Sequence, residues 1–148
     1  MATIKVIFVH GDNCLSKVIQ TATHGEWDHV GIEMLGGMLE ALFNVGVTVS
    51  PLDKYADSKT ECVDVFIADP DGAEQEAKKF VGTSYGFKNF AGGGLYAIMG
   101  INISGDGEKS VDCSELVARI LRAGGNNVLP HIAADNITPN DLYKALVG

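Results

Sequence analysis

From Ile4 to Val9 the chain alternates in a run rich in β-branched residues, and Gly11-Asp12-Asn13 breaks it, so it predicts an opening strand. Asp12 or Asn13 then suits the cap of a helix through Leu15, Val18, Ile19 and Ala22. In His29-Val30-Gly31-Ile32-Glu33-Met34, period two puts Val30, Ile32 and Met34 on one face and His29 on the other. Gly36-Gly37 signals a hairpin turn, with Met38 to Phe43 returning as the partner strand and Val47 to Val49 following before Pro51. Beyond the polar stretch around Asp57 to Thr60, Glu61 to Ala68 predicts a further strand of the same sheet. Asp69-Pro70-Asp71-Gly72 reads as a turn and Ala73 to Phe80 as a helix with Glu and Gln facing water. Past a break at Gly82 to Gly86, the stretch Phe87 to Asp106 holds Gly92-Gly93-Gly94 amid apolar residues, either a loop over a site or an irregular connection.

The next periodic segment is short. Leu116, Val117, Ile120 and Leu121 fall on one helical face, Arg119 and Arg122 lie near the end, and Gly124-Gly125 is a stop. That leaves Cys113 in the first turn, where unpaired N–H groups and the helix dipole favour a thiolate over a thiol. Asn126 to Asp135 reads as loop, and Thr138-Pro139-Asn140-Asp141 starts a last helix, Leu142 to Val147, with Pro139 suited to its first turn.

With 148 residues, 46% of them hydrophobic and 20% charged, the chain is expected to form one globular domain, 1–148, with a core of its own. Met1 to His10 lacks the features of a signal peptide, so synthesis and folding in the cytoplasm are expected. A net charge of -8 opposes nucleic-acid phosphates and anionic lipid surfaces, and the apolar runs are too short for stable membrane insertion. Small or cationic partners fit better; the oligomeric state is not legible. Three cysteines, Cys14, Cys62 and Cys113, match neither a disulfide framework nor a zinc spacing, and no metal or cofactor is called for. Cys62 falls inside a predicted strand and reads as structural. Cys14 shares the helix-start argument in weaker form.

A nucleophilic cysteine needs a base, and the base needs a group to orient it. Of His10, His24, His29 and His131, only His29 starts a strand with a regular apolar face behind it. Glu40 lies on the return strand. If the turn pairs Glu40 with Gly31, Glu40 is diagonal to His29, and the absent side chain at Gly31 leaves room. An ideal two-residue turn on Gly36-Gly37 would instead set Asn44 opposite His29 and Glu33 opposite Glu40, so Asn44 competes for the role.

The order His29-Val30-Gly31-Ile32, Glu40-Ala41-Leu42, Gly46-Val47, Pro51-Leu52, Gly82-x-x-Tyr85, Asp112-Cys113-Ser114-x-Leu116-Val117 and Thr138-Pro139-x-Asp141-Leu142 closely resembles the circularly permuted, YiiX-like branch of the NlpC-type papain-like hydrolases. The histidine precedes the cysteine, as in the permuted arrangement. The resemblance implies an α+β, papain-like fold with an antiparallel sheet packed against the nucleophile helix. It implies Cys113 as nucleophile, His29 as base and Glu40 as third member of a triad. It also implies that Tyr85, Asp112 and Ser114 bind the free amine of a short peptide, although Ser84 stands where those peptidases carry proline and Glu115 replaces their glycine. The expected function is therefore a cysteine amidase or peptidase cutting a cell-wall stem peptide or similar short peptide through a thioester. Reaching cell wall without a signal peptide would call for lysis, a phage setting or another non-classical route. Two alternatives stand beside it: a lipid acyltransferase or phospholipase like the lecithin:retinol acyltransferase group, and a non-enzymatic binding module.

Overall fold

The computed structural model describes residues 2–11, 17, 20, 21, 24–42, 45–85 and 110–148, with the backbone alone at 84, 85, 110 and 111. Five strands, β1 (Ala2–His10), β2 (His29–Met34), β3 (Gly37–Leu42), β4 (Gly46–Ser50) and β5 (Lys59–Ile67), form one sheet in the order β4-β3-β2-β1-β5. Every neighbouring pair in it is antiparallel. Two short strands, β6 (Ser84–Tyr85) and β7 (Ser110–Val111), pair in parallel. Three α-helices lie among the described residues: α1 (Pro70–Phe80), α2 (Cys113–Ala123) and α3 (Pro139–Val147). The class is α+β, as the sequence predicts. Of the helix predicted after Gly11, only Lys17, Gln20 and Thr21 are described, and they are helical. Cys14, Asn44 and Gly92-Gly93-Gly94 lie outside the described residues.

The hairpin differs from the expected one by a single position, and the difference decides the register. Met34 pairs with Gly37, so the turn residues are Leu35 and Gly36, not Gly36 and Gly37. Both have positive φ (58° and 86°), as a type I′ turn requires. Gly37 instead belongs to the strand, where a Cβ would strike the Ser50 carbonyl oxygen. The resulting ladder pairs Glu33 with Met38 and Ile32 with Leu39, which removes the register that set Glu33 against Glu40. A second correction concerns Asp69-Pro70-Asp71-Gly72. It is no free turn but the start of α1, with Asp69 accepting from the Gly72 N–H at 3.0 Å and Pro70 in the first turn, where it sacrifices no helical bond.

Alternation gives the sheet two different faces. Val6, Phe8, Val30, Ile32, Leu39, Ala41, Val65 and Ile67 form the main core, with Leu116, Val117, Ile120 and Leu121 of α2 packed on them. The other face carries Ile7, Val9 and Met38, covered by Tyr55 from the turn region between β4 and β5. Gly31 lies on this second face, where a Cβ would come within 2.5 Å of Met38 Cε and 3.0 Å of Leu39 O. The room that Gly31 leaves is therefore taken by Met38.

Candidate active site

The helix that carries the cysteine is fixed at its first turn. Asp112 adopts an extended conformation (φ -89°, ψ 174°) and caps α2, its Oδ1 accepting from the Glu115 N–H at 2.8 Å. The Ser114 hydroxyl lies 3.1 Å from the same oxygen and 2.5 Å from the Ile137 carbonyl, tying the helix start to the segment before α3. Burial, with the charges of Glu115 and Asp135, pushes the Asp112 carboxyl well above its ordinary range, against the pull of the Glu115 N–H and the Ser114 hydroxyl. Glu115 is buried as well. Arg119, one turn on, grips its Oε2 through Nε at 2.8 Å and Nη2 at 2.7 Å, while Oε1 has no partner. Asp112 and Ser114 thus stand together beside the cysteine, with cap bonds as their visible contacts; the side chain of Tyr85 lies outside the described residues.

Cys113 is 0% exposed. The ladder between β2 and β3 ends at Ile32 and Leu39, whereas β3 stays paired with β4 as far as Leu42 and Gly46. At this opening α2 meets the sheet, where Cys113 shares the core with Val30, and the backbone N–H groups of Val30 and Ser114 work to lower the pKa of its thiol. Burial nonetheless dominates. Together with the charges of Asp112 and Asp28, it pushes the thiol above its ordinary value despite those two donors. The expectation that the helix start makes Cys113 a thiolate at rest is therefore corrected: loss of hydration outweighs the favourable end of the dipole.

His29 and Glu40 meet as the register requires. His29 Nε2 lies 2.6 Å from Glu40 Oε1, on the face opposite the main core. Glu40 is fully buried and three groups bond it: His29 and the Tyr55 hydroxyl (2.6 Å) on Oε1, and Lys54 Nζ on Oε2 at 2.9 Å. Burial alone would raise its pKa, but the bond and charge of His29, the Ser50 side chain and the bond from Tyr55 hold it at about 2. The Tyr55 phenol is pushed above its ordinary range by burial first, then by its bond to Glu40 and the charges of Glu40 and Asp28. It therefore stays a donor. Its ring tilts against that of His29 at 5.6 Å. The sequence reading missed Lys54, Tyr55 and Ser50, whose one signal was an aromatic residue inside the polar stretch after Pro51.

The loop leading into His29 is held from the far end of the chain. The Trp27 N–H donates to Asn140 Oδ1 at 3.0 Å, and Asn140 Nδ2 donates to the Trp27 carbonyl at 2.9 Å. The sheet hairpin thus joins His29 to Glu40, and α2 brings Cys113 to Val30, the neighbour of His29. Among the described residues no hydrogen bond joins Cys113 directly to His29.

No family model matches the chain, and no curated protein among those compared does. It is similar in structure to the metalloprotein YiiX of Escherichia coli O157:H7, with a TM-score of 0.58 and 22% sequence identity over 82% of this chain. It spans 65% of that protein's length. Among the described residues no three His, Cys, Asp or Glu side chains group as metal ligands. The carboxylate nearest the histidine is already taken up by three partners, one of them an ammonium group that repels a cation. The described residues of this site do not fit a metal ion. What the comparison establishes is a shared α+β fold with YiiX.

Proposed function

We propose that the protein is a cysteine hydrolase that cuts an amide bond in a short peptide, of which a cell-wall stem peptide is the leading candidate, using Cys113, His29 and Glu40. The observation that carries this reading is the 2.6 Å bond between His29 Nε2 and a buried Glu40 carboxylate, one residue away from Val30, which shares the buried core with Cys113 at the start of α2. With Nε2 given to Glu40, Nδ1 is the nitrogen left for the thiol proton. In the first step the Cys113 sulfur bonds the scissile carbonyl carbon as its proton passes to His29. The imidazolium then protonates the departing amine as the C–N bond breaks, leaving a thioester. Water attacks that carbon, His29 takes its proton, and the acid is released as the proton returns to the sulfur. The backbone N–H of Cys113, in the first helical turn, supports the oxyanion. Glu40 orients the ring and stabilises its charged form. Because Cys113 rests as the thiol, proton transfer accompanies attack instead of preceding it.

A mass-spectrometric screen of defined muropeptides and phospholipids against wild type and Cys113→Ala tests the reading. The expected result is amide cleavage by wild type, a thioester adduct trapped on the Cys113 peptide, and no turnover by the variant. Fatty-acid release in place of peptide cleavage, or ligand binding unaffected by Cys113→Ala with no turnover, would overturn it. For the amine-binding role proposed for Asp112, Ser114 and Tyr85, the same screen compares free and N-acetylated peptides, and equal cleavage of both would refute it.

A further inference from the structure

Lys54 is an ammonium group set directly on the carboxylate that orients the candidate base. Its Nζ lies 2.9 Å from Glu40 Oε2, while the other carboxylate oxygen serves His29 and Tyr55 together. Lys54 and Tyr55 leave the same turn, which is stitched by backbone bonds from Lys54 to Pro51, Ala56 to Asp53 and Ser58 to Tyr55. Lys54 Nζ also stands 5.2 Å from the Tyr55 ring centroid. A buried carboxylate with no cation beside it would hold His29 strongly as the imidazolium, and an imidazolium cannot accept a thiol proton.

Resting on the hydrolase reading above, we infer that Lys54 is a positioning residue that balances the charge of Glu40 and so sets the pH at which His29 releases its proton, while Tyr55 fixes the carboxylate both of them use. Among the described residues, Ser50, Cys113 and Asp28 are the other groups that bear on Glu40 or Tyr55. Ser50 of β4 is neutral, Cys113 of α2 rests as a thiol, and the charge of Asp28, just before β2, reaches both Tyr55 and Cys113. Asp28 carries a charge of the same sign as Glu40. Lys54 opposes both.

The test is an NMR titration of the histidine ring signals in the full chain, with that of His29 assigned by its loss in His29→Asn. In Lys54→Met the His29 midpoint is expected to move to higher pH by on the order of one unit, the Lys54 side chain being 34% exposed and so partly screened. Lys54→Arg should return it most of the way. Tyr55→Phe, which alters no charge, should move it less than Lys54→Met does. Because no substrate is involved, the result stands whether or not the protein proves to be a hydrolase. If turnover is found, the acidic limb of its pH profile should move with the midpoint. A midpoint unchanged in Lys54→Met, or a larger shift in Tyr55→Phe, would overturn the inference. If Lys54→Met does not fold, Lys54→Gln carries the same expectation.

Discussion

Glu40→Gln removes one negative charge from a fully buried site at nearly constant volume, and the structure says how its cost should vary with pH. The Glu40 carboxyl is held at about 2 against an ordinary 4.5. A difference of 4.5 - 2 = 2.5 units, at about 1.4 kcal/mol each, corresponds to about 3 kcal/mol of stability. Since the folded value is the lower one, that stability is present in full above the unfolded value and is lost as pH falls through 4.5 towards 2. Glutamine does not titrate. The gap in unfolding free energy between wild type and Glu40→Gln should thus shrink by about 3 kcal/mol between pH 6 and pH 2. Asp112 and Glu115, both raised, contribute with the opposite sign, but they are present in both proteins and cancel in the difference. Urea unfolding at several pH values measures it, read by the fluorescence of Trp27, the single tryptophan, which is buried. A gap that stays constant to within about 1 kcal/mol across that range would show that the Glu40 carboxylate is not specially held in the folded state.

Two further outcomes are expected. Brief iodoacetamide treatment of the folded protein at neutral pH should label exposed Cys62 before buried Cys113, whose thiol is also raised, as quantified by peptide mapping; equal labelling would show that the site opens freely in solution. Gly36→Ala should cost about 1–2 kcal/mol in urea unfolding, from the positive φ alone because nothing lies near the added methyl, and a neutral result would mean the turn changes type.

How far the sequence told this story differs from residue to residue. Period-two patterning separated His29 from Val30, Ile32 and Met34, and the cap and spacing of α2 put Cys113 at a helix start, because both signals are local. The pairing of Glu40 with His29 was one of two registers, and a shift of one residue in the turn was enough to choose between them. That choice rests on Leu35 accepting a positive φ, which a leucine seldom does, so the glycine pair was the stronger local signal and the wrong one. The start of α1 was hidden because Asp-Pro-Asp-Gly serves a turn and a helix start equally well. Burial of Cys113, the place of β5 beside β1, and the arrival of Lys54 and Tyr55 on Glu40 are long-range matters. No window of sequence around any of those residues contains the partner that decides them.

The bonds between Trp27 and Asn140 span 113 positions, which has a consequence for how the protein comes into being. The hairpin bearing His29 and Glu40 leaves the ribosome early, Cys113 much later, and Asn140 later still. At about 5–20 residues per second, a nascent chain holds His29 for on the order of ten seconds before the clamp on its leading loop exists. Assembly of the candidate site is thus a late event in the life of each new molecule, and contacts of such sequence separation are slow to form even once every residue is free.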